Sequence, residues 1–225
     1  MADERIDKGM QSQLATRERE SAERAPVGWK LGFGTSAAME KFSISEPLVG
    51  YLTEATRIDG GIEADLSGLS NPKLEPELAI TMGSDLPSDA TDEEVRGAIA
   101  GVGPAFELAD LDADESDVER ILAGDIFHRG FALGASGPAE LIDSPKIRLT
   151  NADGEDEELD AYAATGEPIG LLRSLAGTLS AQGRTLSAGD VVICGSIIPP
   201  RDPEPGQSFT LALEGAGIAE IRFAG

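Results

Sequence analysis

Three glutamates and one lysine are the residues of this chain best placed to do chemistry. In Leu74-Glu75-Pro76-Glu77-Leu78-Ala79-Ile80, the alternation of a strand sends Glu75 and Glu77 to one face and Leu74, Pro76, Leu78 and Ile80 to the other. Two carboxylates on one face of an apolar strand repel each other unless water, a proton or a cation intervenes. A hard divalent ion such as Mg2+ or Mn2+ does this through oxygen ligands. An edge strand with a wetted acidic face carries the same pattern, and Pro76, with no N–H to give a ladder, suits an edge or a bulge. Further on, Pro104-Ala105-Phe106-Glu107-Leu108-Ala109 plants a third glutamate in an apolar stretch. Strand, helix, strand returns a chain to the same sheet, so Glu107 can be brought beside the first two. Three oxygen ligands with positions left for water and substrate describe a catalytic hard-cation site. The competing reading of Glu107 is a buried acid paired with a base such as Lys73 or Arg120.

Lys30 stands alone among glycines. In Val27-Gly28-Trp29-Lys30-Leu31-Gly32-Phe33-Gly34 the apolar residues share one face and Gly28, Lys30, Gly32 and Gly34 the other. A face cleared around one amine admits a ligand or another backbone; glycines serving sheet curvature beside a solvated lysine give the same pattern. His128 is the only histidine, which rules out a histidine-rich metal site and fits a hydrogen-bonded structural role as well as catalysis. Gly195-Ser196 closes the apolar run Val191-Val192-Ile193-Cys194, where backbone N–H groups and the Ser196 hydroxyl can approach an anion.

The elements that must position these residues are partly legible. Asp7 to Ala25 reads as a helix ended by Pro26. Thr91 and Glu94 have capping-box spacing before Val95, Ala98, Ile99 and Val102, and Ser116 with Glu119 repeats the signal. Pro168 to Gly183 is the strongest helix, with a stripe of Ile169, Leu172, Leu175, Ala176 and Leu179. Strands are expected near Val49 to Leu52, Ile62 to Leu69 and Ile147 to Leu149, with a hairpin over Phe209 to Leu213 and Ala219 to Phe223. A turn is expected at Asp59 to Gly61, and an exposed tip over Asn151 to Glu158.

Composition narrows the functional classes. The 225 residues carry 41 acids against 18 bases, a net charge of −23 that repels nucleic acid and anionic membrane. No apolar run is long enough to span a membrane and the start, Met1-Ala2-Asp3-Glu4-Arg5, has no apolar signal, so a cytoplasmic protein is expected. Cys194 is the only cysteine, which excludes an internal disulfide. Residues 1–26 read as an N-terminal helical segment and 27–225 as one catalytic domain.

In order along the chain, Gly28-Trp29-Lys30-Leu31-Gly32, Pro47 to Gly50, Leu74-Glu75-Pro76-Glu77-Leu78-Ala79, Ala105-Phe106-Glu107, Gly166-Glu167-Pro168 and Ala188-Gly189-Asp190-Val191-Val192 with Gly195-Ser196 resemble the 2-keto-4-pentenoate hydratase group of the fumarylacetoacetate hydrolase superfamily. The resemblance runs from about Val27 to the end. It implies an α+β, mixed β-rich fold, a β-roll with flanking helices. It also implies Mg2+ or Mn2+ held by Glu75, Glu77 and Glu107, and Lys30 as the active-site lysine contacting substrate. Asp125 or His128 would assist proton movement, the substrate would be a small 2-oxo acid, and the protein a homo-oligomer. Hydration of a 2-hydroxydienoate is the implied reaction. Decarboxylation of a 2-oxo-enedioate or oxaloacetate, carbon-carbon hydrolysis of an acylpyruvate, and non-catalytic binding of a 2-oxo acid are the alternatives. The chain departs from the group where it is shorter before Trp29, and where Gly124-Asp125-Ile126-Phe127-His128 replaces Ala-Asp-Asn and small residues.

Overall fold

The computed structural model describes residues 3–20, 24–59, 61–112 and 116–225. Helix α1 (Glu4–Glu20) is followed by strand β1 (Pro26–Gly32), helix α2 (Ser36–Phe42) and strands β2 (Leu48–Thr53), β3 (Glu63–Ala64) and β4 (Pro72–Met82). Helix α3 (Asp92–Ala98), strand β5 (Ile99–Asp110), helix α4 (Val118–Ala123) and strands β6 (His128–Leu133), β7 (Ile147–Thr150) and β8 (Asp156–Leu159) come next. Helix α5 (Pro168–Ala181) leads to β9 (Val191–Ile193), β10 (Ser208–Leu213) and β11 (Ile218–Phe223).

The strands form a six-stranded sheet, β2-β1-β9-β4-β5-β6, and a five-stranded sheet, β3-β11-β10-β7-β8. The larger sheet curls until its edges meet: just past β2, Arg57 bridges to Phe131 of β6 and the Ile58 N–H donates to the Phe131 carbonyl at 2.8 Å. This makes a roll with an inside and an outside. Outward residues, among them Trp29, Leu31, Leu78, Ile80 and Phe106, join the main core with the buried stripe of α5 and the inner face of the smaller sheet. The inside is plugged by a smaller cluster of Leu52, Ala79, Ala105, Phe131 and Ile193. Glu75, Glu77, Glu107 and Lys30 share that inner face, as the pairings Glu75 with Glu107, Glu77 with Ala105, and Ala79 and Lys30 both with Ile193 require.

Strand, helix, strand does return the chain to the same sheet: β4 and β5 are adjacent antiparallel strands in register from Pro72 with Asp110 to Thr81 with Gly101, α3 sits in their connection, and Glu75 lies opposite Glu107. Other expectations need revision. The strand near Ile62 to Leu69 shrinks to Glu63–Ala64, and the acidic tip contains β8, which pairs with β7. Helix α4 is capped by Asp117, whose carboxylate accepts from the Arg120 N–H at 3.2 Å, rather than by Ser116. The first helix is described as far as Glu20; its expected continuation over residues 21–23, and Gly60 of the expected turn, lie outside the described residues. The capping box of α3 forms as read, with Thr91 Oγ1 accepting from the Glu94 N–H at 3.3 Å and Glu94 Oε2 from the Thr91 N–H at 2.8 Å.

Pro76 is not an edge marker, because β4 lies inside the sheet. Leu74, Pro76 and Leu78 turn their backbone groups toward the segment after β9, where Ile197 donates to the Pro76 carbonyl at 2.9 Å and Cys194 to that of Leu78 at 3.0 Å. Glu75 and Glu77 address β5. The missing N–H therefore costs the β4–β5 ladder nothing. Helix α1 packs on α4 and β2, with buried Gln13 donating to the carbonyls of Val49 (3.1 Å) and Leu122 (2.9 Å). Among the described residues no helix is long and apolar enough to cross a membrane.

Candidate metal centre and its neighbours

Oxygens of Glu75, Glu77 and Glu107 lie within 4.8 Å of one another inside the roll. Glu77 is fully buried, Glu107 is 1% exposed and Glu75 is half-buried. One oxygen of each buried pair member is spoken for: Glu77 Oε2 accepts from the Gly195 N–H at 2.8 Å, and Glu107 Oε1 accepts from Lys30 Nζ and lies 2.8 Å from His128 Nδ1. Their other oxygens, Glu77 Oε1 and Glu107 Oε2, are buried with no hydrogen-bond partner among the described residues. Orphaned carboxylate oxygens are expensive, and an oxygen-seeking divalent ion satisfies them directly. The donor set therefore fits Mg2+ or Mn2+.

The electrostatics agree. Burial, then repulsion from Glu107, pushes the Glu75 carboxyl up to about 7 against the pull of Lys30. Burial and the other two acids hold Glu77 well above the usual carboxylate range. Burial would raise Glu107 also, but Lys30 and His128 outweigh it and hold this carboxyl low. Lys30 is 2% exposed, and although burial disfavours its charge, Glu107, Glu75 and Asp125 together raise its pKa. The metal-free site is thus a charged Lys30–Glu107 pair beside two acids that resist ionisation. A carboxyl raised in the fold from 4.5 to about 7 costs nothing below pH 4.5 and destabilises as pH rises through 7. Thermal unfolding of metal-free protein should therefore shift downward between pH 4.5 and 7, and saturating Mn2+ should reverse the shift.

The other expected residues lie nearby. Lys30 also donates to the Ile126 carbonyl at 3.1 Å. Asp125 Oδ1 accepts from the Tyr51 N–H at 2.8 Å, and burial pushes its carboxyl up to about 6 despite the cations around it. His128 Nε2 is 3.0 Å from Thr56 Oγ1, whose hydrogen is given to the Thr53 carbonyl at 3.1 Å; Nε2 therefore carries the hydrogen of that contact. Ser196 is half-buried and donates to the Ile198 carbonyl at 2.7 Å; the group from its loop that touches the carboxylates is the Gly195 N–H. Asp125, Ile126 and Phe127 all have positive φ (56°, 51° and 61°), a conformation costing roughly 1–2 kcal/mol per residue. This strained turn places the Ile126 carbonyl on Lys30 and the Asp125 carboxylate on the Tyr51 N–H.

Sequence reasoning missed Thr56, the Tyr51 N–H and Gly50. Gly50 pairs with Lys30 across β1 and β2, and a Cβ there would meet Lys30 Cγ at 2.7 Å and Asp125 Oδ1 at 2.8 Å. The glycines flanking Lys30 serve packing: a Cβ on Gly28 would strike the Val191 backbone and one on Gly32 the Ile126 side chain. Gly50→Ala should cost about 1–3 kcal/mol through overpacking and cut turnover on the order of a hundredfold by displacing Lys30 and Asp125. Differential scanning calorimetry and steady-state kinetics would check both effects.

Residues 36–224 match the family profile described as Fumarylacetoacetate (FAA) hydrolase C-terminal. The chain belongs to that family. It is similar to a 4-oxalocrotonate decarboxylase of a Pseudomonas species, 29% identical over 88% of this chain and 79% of the relative. A 2-keto-4-pentenoate hydratase of Paraburkholderia xenovorans is 27% identical over 93% of this chain and 80% of its own length. Among solved structures, the 4-oxalocrotonate decarboxylase of Pseudomonas putida G7 complexed with magnesium and adipate superposes with a TM-score of 0.87 at 25% identity, covering 97% of this chain and 86% of that one.

Proposed function

We propose that this protein is a divalent-metal-dependent lyase of small 2-oxo acids, and that hydration of a 2-hydroxypenta-2,4-dienoate is its reaction. The observation that carries the reading is the pair of orphaned carboxylate oxygens beside a buried, charged lysine. Bound Mg2+ or Mn2+, held by Glu75, Glu77 and Glu107, supplies Lewis-acid stabilisation of negative charge developing on the keto oxygen of a 2-oxo acid. The protein's own groups divide the remaining work. Lys30, kept charged, offers positive charge and a proton rather than a free base. Asp125, with its carboxyl near 6, suits proton acceptance at neutral pH. Glu107 is held ionised by Lys30 and His128, so one oxygen stays aimed at its fellow carboxylates. Ser196, with lone pairs still open, is read as a substrate contact.

A second reading is decarboxylation of a 2-oxo-enedioate, which would draw on the same stabilisation of negative charge at the keto oxygen and is favoured by the similarity to 4-oxalocrotonate decarboxylases. Acylpyruvate hydrolysis needs a histidine-acid dyad to activate water; His128 Nδ1 does lie 2.8 Å from Glu107 Oε1, but its Nε2, the nitrogen that would take the proton, is engaged with Thr56 Oγ1. A panel of 2-hydroxypenta-2,4-dienoate, a 2-oxo-enedioate, oxaloacetate and an acylpyruvate, assayed with Mg2+ or Mn2+, separates the readings. Turnover of the dienoate alone is the expected result. Silence across the panel with tight binding of 2-oxo acids would replace the enzyme with a binding protein. We further read the protein as a cytoplasmic homo-oligomer, which a monomer mass by light scattering would contradict.

A further inference from the structure

Helix α1 lies outside both sheets, yet one buried amide on it reaches the backbone that carries Asp125. Gln13 is fully buried, and its Nε2 donates to two carbonyls from distant parts of the chain, Val49 of β2 at 3.1 Å and Leu122 of α4 at 2.9 Å. Val49 and Tyr51, two apart on β2, turn their backbone groups to the same side, away from β1, and the Tyr51 N–H is the donor to Asp125 Oδ1 at 2.8 Å. Between them, Gly50 pairs with Lys30. Ala123 and Gly124 alone separate Leu122 from Asp125, the first of the three positive-φ residues. The Gln13 amide thus ties the end of α4 to β2 two residues from the bond that ties Asp125 to it.

The packing of α1 on α4 is close at the same place. Gly9 lies one turn before Gln13 on the same face, and a Cβ there would meet Leu122 Cβ at 2.6 Å and the Glu119 carbonyl at 2.8 Å. Elsewhere α1 is held by contacts that do not involve α4: Asp7 Oδ1 accepts from Gln182 Nε2 at 3.0 Å, and the Arg17 guanidinium lies 4.2 Å from the centre of the Trp29 ring. The helix therefore stays docked without the Gln13 amide. Stability alone is a poor account of this residue. Gln13 Oε1 is buried with no hydrogen-bond partner among the described residues, a cost that an apolar side chain of the same length avoids.

We infer that Gln13 is a positioning residue: through Val49 and Leu122 its amide holds the turn at Asp125 to Phe127 against β2, and so fixes Asp125 and the Ile126 carbonyl relative to Lys30. The inference rests on the reading of Asp125 and Lys30 as the groups that move protons. Without the amide, α4 and β2 remain packed but the turn gains play, and the Asp125 bond to Tyr51 opens more often. Such a displacement acts on turnover rather than on metal binding, since Glu75, Glu77 and Glu107 stand on β4 and β5.

Three variants of the Mg2+-loaded protein test it. Gln13→Met keeps the length and removes the donor, Gln13→Asn keeps an amide one methylene short, and Gln182→Ala loosens α1 without touching either carbonyl. Amide hydrogen exchange at Tyr51, followed by NMR, should quicken about tenfold in Gln13→Met, less in Gln13→Asn, and stay unchanged in Gln182→Ala. On the substrate that wild type turns over, kcat of Gln13→Met should fall about tenfold or more while KM and Mg2+ affinity stay within about twofold. Unchanged exchange at Tyr51 in Gln13→Met and Gln13→Asn, or an equal rise in Gln182→Ala, would overturn the inference. So would a loss of Mg2+ affinity as large as the loss of kcat, the mark of a generally loosened fold. Faster exchange with kcat intact would remove Gln13, and Asp125 with it, from the reaction. A wild type that turns over no 2-oxo acid would overturn the proposed reaction and Gln13's part in it, while exchange at Tyr51 still decides whether the amide holds the turn.

Discussion

Glu107→Gln is expected to abolish divalent-cation binding and turnover and to lower the melting temperature. The same carboxylate does two things: Oε1 gathers Lys30 and His128, and Oε2 faces Glu75 and Glu77 with no partner of its own. A glutamine keeps the shape but removes the charge, leaving the buried Lys30 ammonium with its contact partner neutral. Breaking a buried pair this way costs about 3–5 kcal/mol, or roughly 10 °C for a chain of this size. Mn2+ affinity, followed by the resonance signal of the free ion, should fall more than a hundredfold. Glu77→Gln makes the contrast. It should also lose the ion, yet the metal-free variant should be as stable as wild type or more so above pH 7, because Glu77 already resists ionisation. A Glu107→Gln protein that bound Mn2+ normally would remove Glu107 from the centre.

Lys30→Met is expected to lower kcat on the order of a thousandfold while Mn2+ affinity at pH 8 changes by less than about tenfold. Methionine fills similar volume but offers neither charge nor proton. Glu107 then keeps only His128, so its carboxyl rises and the loss of metal affinity should grow as pH falls. Lys30→Arg should not rescue turnover. The amine sits between Glu107 Oε1 and the Ile126 carbonyl, beside a Gly50 with no room for a methyl group, and a planar guanidinium has no space there. Near-normal turnover in either variant would refute a chemical role for Lys30.

The centre was legible in sequence to the extent that it follows from strand alternation. Glu75 and Glu77 share a face because they are two apart, and Glu107 stood out as a charge planted in an apolar strand. Lys30 stood out through its glycine neighbours, and the expected close approach of another backbone holds at Gly28, against Val191 of β9; Gly32 admits the Ile126 side chain, and Gly50, which makes room for the amine, is twenty residues away. What closes the centre was not legible. Thr56 reaches His128 across 72 residues, and the Tyr51 N–H reaches Asp125 across 74, contacts set by how far the sheet curls. The three positive-φ residues at Asp125 to Phe127 break local preference, since Ile and Phe disfavour that conformation. Such violations gather where surrounding packing imposes a geometry that the site needs.

The central claim is that Glu75, Glu77 and Glu107 hold one divalent cation. Titration calorimetry of Mn2+ into metal-free protein at pH 6, repeated in buffers of different ionisation enthalpy, tests it most directly. One ion per chain should bind and release protons, because the raised Glu75 and Glu77 carboxyls must ionise to coordinate it. Heat independent of the buffer, or no saturable binding at millimolar Mn2+, would contradict it.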